Sequence, residues 1–261
     1  MLIVLFAVCF LASMAGAVCG IGGGVMIKPV LDAFHIMSVS SISFLSGCTV
    51  LSMTAYSVAK RKCSGNCEIH FKTASWLALG AVFGGVLGKW MFSLFSALGS
   101  AHSKVGAVQA ACLFMVTLGT LIYTLNKDRI VTKKVKNPAA CGFIGLFLGA
   151  MSSFLGIGGG PVNLVVLFFF FSMTMKEAAE NSLYIILFSQ ASGLLSSVLT
   201  RNIPAITVTM LAVMVAGGIT GGMAGQKWNK TIAEETVERL FIGLMAAIML
   251  ISIYNMVCYQ R

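Results

Sequence analysis

The chain has 261 residues, of which 58% are hydrophobic and only 10% charged, with a formal net charge of +10. A soluble domain carries about 25% charged residues, so this chain cannot clothe a water-facing surface and its solvent is the bilayer. Its positive charge is gathered in two connectors, Lys60-Arg61-Lys62 with Lys72, and Lys127, Arg129, Lys133, Lys134 and Lys136; beside membrane spans such clusters report topology, and they do not mark a nucleic-acid binder.

A spanning helix takes about 20 apolar residues. From the N-terminus, candidate spans lie at 2–19, 39–59, 73–89, 105–125, 139–155, 178–199, 205–226 and 239–258. The fold class expected is an all-α integral membrane protein of about eight transmembrane helices. The first span resembles a signal peptide ending at Ala15-Gly16-Ala17, but it lacks a basic leader and recurs later in the chain, so it is read as a retained helix. Two shorter apolar stretches, 25–37 and 161–172, directly follow a glycine motif. Thr174 to Glu177 and Thr231 to Glu234 each have the spacing of a capping box opening a helix. Cys9, Cys19, Cys48, Cys112, Cys141 and Cys258 fall in or at the ends of apolar segments, where a thiol acts as a small hydrophobe.

The chain repeats itself. Cys19-Gly20-Ile21-Gly22-Gly23-Gly24 matches Leu155-Gly156-Ile157-Gly158-Gly159-Gly160 at an offset of 136, and Gly84-Gly85 with Gly88 matches Gly221-Gly222 with Gly225 at 137. Two motifs in the same order at nearly one offset define two tandem four-helix repeats, 1–126 and 138–261, joined by a basic linker at 127–137. If every long segment crosses, the repeats are parallel. If each glycine motif turns back as a re-entrant segment, they are inverted, and the sequence leaves both open. With eight full crossings the N-terminus, the 60–72 loop, the linker, the 200–204 loop and the C-terminus share a side holding eleven of the 18 Lys and Arg residues. That side is expected to be cytoplasmic. The two basic loops fall together in either arrangement. Lys89-Trp90 and Lys227-Trp228, at matching helix ends, read as interfacial anchors.

The chemistry is expected at the glycines. Glycine costs about 1 kcal/mol relative to alanine within a helix, so Gly20, Gly22, Gly23 and Gly24, and again Gly156, Gly158, Gly159 and Gly160, argue for broken helices. Broken backbone at membrane depth requires protein or water to satisfy it. The short helix after each break would aim its N-terminal N–H groups into a polar cavity, a ready anion site. Close packing by small residues is the plainer alternative. Ser40, Ser43, Ser46, Thr49 and Ser52 recur every third residue, and Asn181, Ser182, Ser189, Gln190 and Ser192 stand in a later apolar run. Each serves either as a pocket donor or as interhelical glue. Asn163 follows the second motif closely. Among acids only Asp32 and Glu180 approach membrane depth; Glu180 is a candidate proton-coupling group, or simply an acid near a helix N-terminus. Cys63-x3-Cys67-x2-His70 offers two thiols and an imidazole but no fourth ligand, so no metal is expected. Asn229-Lys230-Thr231 is a glycosylation sequon placed too near the membrane for use. No nucleotide-binding or hydrolytic motif is present, so an enzyme is not expected.

These features together resemble the sulfite exporter TauE/SafE family of permeases: duplicated apolar halves, about eight helices, and a GxGGG signature followed by proline in each half. The first copy has Pro29 five residues on; the second has Pro161 at once and Val165 where the family proline would fall. The resemblance implies secondary transport of sulfite or another sulfur-containing or organosulfonate anion, often by export. The substrate-binding set carried over comprises the eight motif glycines, Pro29, Ser46, Thr49, Ser52, Pro161, Asn163, Asn181, Ser182, Ser189 and Gln190. The residues themselves favour an anion, since N–H, hydroxyl and amide donors abound and carboxylates are few; they do not single out sulfur. The partners implied are a small-anion substrate and the lipid bilayer, without nucleic acid or cofactor; a homo-oligomer stays open. The rival readings are a passive anion channel of the same architecture and a non-transporting membrane adaptor acting through its cytoplasmic loops.

Overall fold

The computed structural model describes all residues except 35–36, 64–68, 99–101, 136, 202 and 261. The helices in chain order are α1 (Leu2–Cys19), α2 (Gly24–Ala33), α3 (Val39–Cys63), α4 (Phe71–Leu98), α5 (His102–Leu125), α6 (Pro138–Leu155), α7 (Pro161–Phe171), α8 (Met175–Leu199), α9 (Val208–Thr231) and α10 (Glu234–Gln260). No strand occurs among the described residues. Eight of the helices are long and apolar enough to cross a membrane, while α7 is a shorter apolar helix. Several outrun their apolar cores. α3 continues through Lys60-Arg61-Lys62, because a helix need not stop where the hydrocarbon does.

The ends of α1 and α6 are set by the same device. Gly20 (φ 73°) and Gly156 (φ 66°) take the left-handed conformation that closes a helix. Pro161 then starts α7 at the first position, where its missing N–H costs nothing. α8 opens on the predicted capping box: Thr174 Oγ1 accepts the Glu177 N–H, and the Glu177 carboxylate accepts the Thr174 N–H at 2.8 Å. The second predicted box does not form. Thr231 is the last residue of α9 and its hydroxyl donates back to the Trp228 carbonyl. Glu234 instead reaches across to accept the Met175 N–H at 2.6 Å, a bond that ties two loops together.

Those loops define one end of the bundle, the basic end. Lys133 and Val135 N–H groups donate to the Phe169 and Phe170 carbonyls at the close of α7. Lys127 pairs with Glu238 at 2.5 Å, and Lys176 donates to the Ile232 carbonyl. The His70 N–H donates to Asn181 Oδ1. The 25 residues of α8, about 37 Å of helix at 1.5 Å per residue, carry the chain from there to the opposite, distal end. There Ser41 Oγ donates to the Ala205 carbonyl. The end of α8 and the start of α9 thus lie away from the end where Lys133 and Val135 meet α7, as they do if the second glycine motif turns the chain back. In that arrangement α6 leaves the basic end, the chain reverses, and α7 returns to it before α8 sets out. The reversal after α1 is equally tight, with Gly22 against Gly16 and Gly23 against Ser13.

Small residues set the tightest helix contacts. A Cβ on Gly80, Gly84 or Gly88 would lie 2.0, 2.1 or 2.3 Å from the carbonyl oxygens of Gly142, Leu146 and Ala150, so α4 and α6 touch backbone to backbone. α9 meets α1 in the same way, Gly221 at the Phe10 carbonyl and Gly225 at the Met14 carbonyl. Close approach of this kind drives helix association in lipid, where burying apolar surface gains little over lipid contact. α3 and α8 lie in contact at the centre, α5 packs on α10, α2 against α3 and α10, and α7 against α8 and α5.

Candidate functional site

The two glycine motifs meet. A Cβ on Gly24 would lie 2.3 Å from the Ile157 carbonyl oxygen, one on Gly22 would lie 3.5 Å from the Gly158 carbonyl oxygen, and one on Gly160 would lie 3.1 Å from Val25 Cγ2. The N-termini of α2 and α7 are thus brought together. Their N-cap positions are Gly23 and Gly160, and neither receives a side-chain cap. Gly158 (φ 77°), Gly159 (φ 119°) and Gly160 (φ 106°) are left-handed in succession, a path that side-chain-bearing residues rarely follow. α3 and α8 press on the junction from either side: Val50 touches Gly22, Gly24 and Gly158, and Ile186 touches Gly22 and Gly159. Gly20 lies on the Ala179 backbone, and Gly156 lies on Ser43, whose Oγ would be 2.9 Å from an added Cβ.

Around this junction the hydroxyls are buried and unanswered. Ser13, Ser43, Ser46, Ser153, Ser182 and Ser189 are each 2% exposed or less. Their Oγ atoms have no hydrogen-bond partner among the described residues. A buried unpaired polar group costs about 1–3 kcal/mol, and these six hydroxyls are carried on α1, α3, α6 and α8. Ser13 abuts Gly23, and Ser153 stands 3.0 Å from the Cβ position of Gly193. Gln190 Nε2 donates to Ser152 Oγ at 3.3 Å while its Oε1 lies at the Gly47 backbone. Asn163 is 2% exposed, and its Nδ2 would be 3.1 Å from a Cβ on Gly159. Ser46, Asn163, Ser182, Ser189 and Gln190 are each 4% exposed or less.

Other members of the expected set point elsewhere. Thr49 returns its hydroxyl to the Leu45 carbonyl and sets its methyl on Gly218 of α9. Ser52 bonds the Cys48 carbonyl. The hydroxyls of Thr49 and Ser52 are thus taken within α3, while Thr49 itself stays beside Ser13 at Gly218. Asn181 donates to the Glu177 carbonyl and accepts from His70 N–H, binding the 69–70 loop to α8. Pro29 lies inside α2, and its carbonyl accepts from Asn255 Nδ2 at 2.9 Å. Glu180 forms an ion pair with Arg61, joining α8 to α3 near the basic end, with both side chains less than 10% exposed. Asn229 of the sequon is 5% exposed and donates to the Val18 carbonyl, so its amide is taken. Cys67 lies outside the described residues, and no cluster of three His, Cys, Asp or Glu residues occurs among the others.

The sequence reading overlooked Lys28. It is 3% exposed and sits one turn into α2. It donates to Gln109 Oε1 at 2.5 Å and to the Leu155 carbonyl at 2.6 Å, the last residue of α6 before the second break. Gln109 Nε2 in turn donates to the Phe154 carbonyl at 2.7 Å. One cation and one amide thereby satisfy carbonyls left open at the end of α6. A cavity of about 10 Å³ beside them is lined by Lys28, Asp32, Gln109, Ser252 and Asn255, about the room one water needs. A lysine four residues before an aspartate in a stretch otherwise read as apolar was the available signal.

Residues 5–252 match the model of a family described as Sulfite exporter TauE/SafE. Over 118 residues, 43% of this chain, the sequence is 22% identical to the "Probable membrane transporter protein MamO" of Magnetospirillum gryphiswaldense, and the aligned part is 19% of that protein's length. No solved structure matches the chain.

Proposed function

This chain belongs to the sulfite exporter TauE/SafE family, whose members are membrane transporters, and we propose that it is a secondary transporter that carries sulfite or a related small sulfur-containing anion through the junction of its two glycine breaks. The observation carrying this reading is the convergence of two uncapped helix N-termini with six unpartnered buried serine hydroxyls. N–H and O–H donors suit an oxyanion, and Lys28 adds positive charge behind them. Asp32, one turn after Lys28, shares the small cavity beside it and is the one carboxylate named there.

The chain is best understood as two inverted repeats. The contacts support this: α4 lies on α6 as α9 lies on α1, and α2 meets α10 as α7 meets α5. Position pairs recur at the sequence offset, Gly20 with Ala179 matching Gly156 with Ser43. In this arrangement Lys176, Lys227, Lys230 and Arg239 join the basic loops at one end, while Lys89 and Arg201 stand at the other. The basic end is then cytoplasmic, with a stronger charge bias than eight parallel crossings would give.

Alternating access follows from the ends. The offset of 136 relates Arg61 to Ser197 and Glu180 to Phe44. At the basic end the Arg61–Glu180 pair bridges α3 and α8. At the distal end Phe44 and Ser197 line a cavity of about 330 Å³. The Arg61–Glu180 pair supports closure between α3 and α8 at the basic end, where a separate cavity of about 690 Å³ lies beside Lys127 and Glu238, and Glu180 is read as a gate residue before a proton carrier.

The test is flux in proteoliposomes loaded with sulfite, thiosulfate, sulfate or a taurine-like sulfonate. Saturable uptake with counterflow of labelled substrate is expected. Non-saturating flux without counterflow would make the protein a channel, and no flux of any anion from folded protein would defeat the reading.

A further inference from the structure

The distal cavity carries chemistry of its own. Lys89, from α4, and Arg201, just past α8, both line it, together with the hydroxyl residues Ser40, Ser93, Ser196, Ser197 and Thr200. None of its lining residues is acidic. Glu177, Glu234 and Glu235 belong to the first turns of α8 and α10, and Glu180 and Glu238 follow in the second, all toward the basic end. Two cations therefore share a polar cavity of about 330 Å³ without a carboxylate.

Lys89 was expected to be a lipid-interface anchor, but its side chain follows a different course. It is half-buried, its Cγ would be 3.4 Å from a Cβ on Gly193 of α8, and its Nζ lies 5.8 Å from the centre of the Phe92 ring. Trp90, 59% exposed, takes the outward position instead. Beside the same Cβ position of Gly193, at 3.0 Å, stands Ser153 Oγ, 2% exposed and without a hydrogen-bond partner among the described residues, two residues before the end of α6 and the second glycine break. Lys89 thus joins the mouth of the cavity to the donors of the junction. Arg201 has φ 52°, a conformation usually given to glycine after a helix. In the matching place of the second repeat, Lys89 becomes Gln226, which is 3% exposed.

We propose that Lys89 and Arg201 form an anion-capture site in the distal cavity, which binds a small oxyanion or sulfonate before it moves past Gly193 and Ser153 to the glycine junction. This rests on reading the chain as an anion carrier and names the site where that carrier first holds its substrate on the distal side. At the offset of 137 Lys89 is replaced by the neutral Gln226, so affinity for the anion should differ between the two faces. Two separated cations in a wet cavity attract without dehydrating the anion, which favours fast capture over tight binding.

The test measures the concentration dependence of sulfite and thiosulfate transport from the distal side, in oriented proteoliposomes, for wild type, Lys89→Gln, Arg201→Gln and Lys89→Arg, with Lys227→Gln as a control at the other end. The expected result is a KM raised about tenfold by either charge-removing change, with maximal rate held within about twofold. Lys89→Arg should keep the wild-type KM, and KM measured from the cytoplasmic side should not move. Raised ionic strength should narrow the gap between wild type and variants. Wild-type transport that saturates while both charge-removing variants keep its KM would overturn the capture site alone. A change in KM of equal size on both faces would also overturn it. If wild type carries no anion, the carrier reading fails and the capture site fails with it. Each variant is first checked for a single size-exclusion peak and wild-type Tm; should Lys89→Gln not fold, Arg201→Gln, at an exposed position, decides the matter.

Discussion

Gly24 gives the sharpest test of whether the two breaks must touch. Its Cβ position lies 2.3 Å from the Ile157 carbonyl oxygen and 2.8 Å from Val50 Cγ2, while ordinary contact begins near 3.4 Å. Gly24→Ala must therefore push the second break away by about 1 Å, and the nearest atom is backbone, which cannot rotate aside. Overpacking of this order costs about 1–3 kcal/mol. Gly119 and Gly243 are the controls, since nothing lies within 4 Å of a Cβ there. As mid-helix glycines they should gain about 0.5–1 kcal/mol when changed to alanine. Thermal unfolding of the three variants in nanodiscs should place Gly24→Ala below wild type and both controls at or above it. Flux in proteoliposomes should fall at least tenfold for Gly24→Ala, because a 1 Å displacement separates the donors that must act on one anion. Wild-type flux and stability in Gly24→Ala would refute a junction built by contact between the motifs.

Three further outcomes follow from the same geometry. Removing one partner of the buried Arg61–Glu180 pair, by Arg61→Gln or Glu180→Gln, should cost about 3–5 kcal/mol and expose the inner cavity to thiol reagents from the basic end; unchanged accessibility there would remove the pair from gating, and transport that loses its pH dependence in Glu180→Gln would return it to proton coupling. With the other cysteines replaced, Cys63, which is exposed, and an Arg201→Cys variant should react with impermeant maleimide from opposite faces of the membrane; labelling from one face would contradict the inverted arrangement. Asn229→Ala should lower stability by about 1–3 kcal/mol, since the buried Val18 carbonyl loses its donor, and Tm measured beside Asn126→Ala, where the amide bonds an exposed carbonyl, separates this from a surface effect.

The breaks were legible because four glycines in five residues have no other economical use inside an apolar segment. Their contact was not, since nothing in either motif states that Gly24 will find Ile157. The spans were legible from hydropathy, and the capping box at Thr174 from its spacing. Thr231 failed because Glu234 found a stronger use across the loop at Met175, a tertiary bond that outcompetes a local one. Parallel and inverted repeats could not be told apart, because crossing number depends on whether the chain reverses at Gly156–Gly160, which hydropathy does not register. Lys28 was hidden by averaging: one lysine barely lowers the mean of an apolar stretch, yet it supplies the cation nearest the junction.

The most direct measurement of the central claim is the position of a bound substrate analogue. Selenite mimics sulfite and scatters anomalously, so crystals grown in its presence locate it without reference to side-chain density. The account predicts an anomalous peak within hydrogen-bonding reach of the N-termini of α2 and α7, near Gly24, Gly160 and Ser43. A peak confined to the surface, from protein that transports selenite, would contradict it.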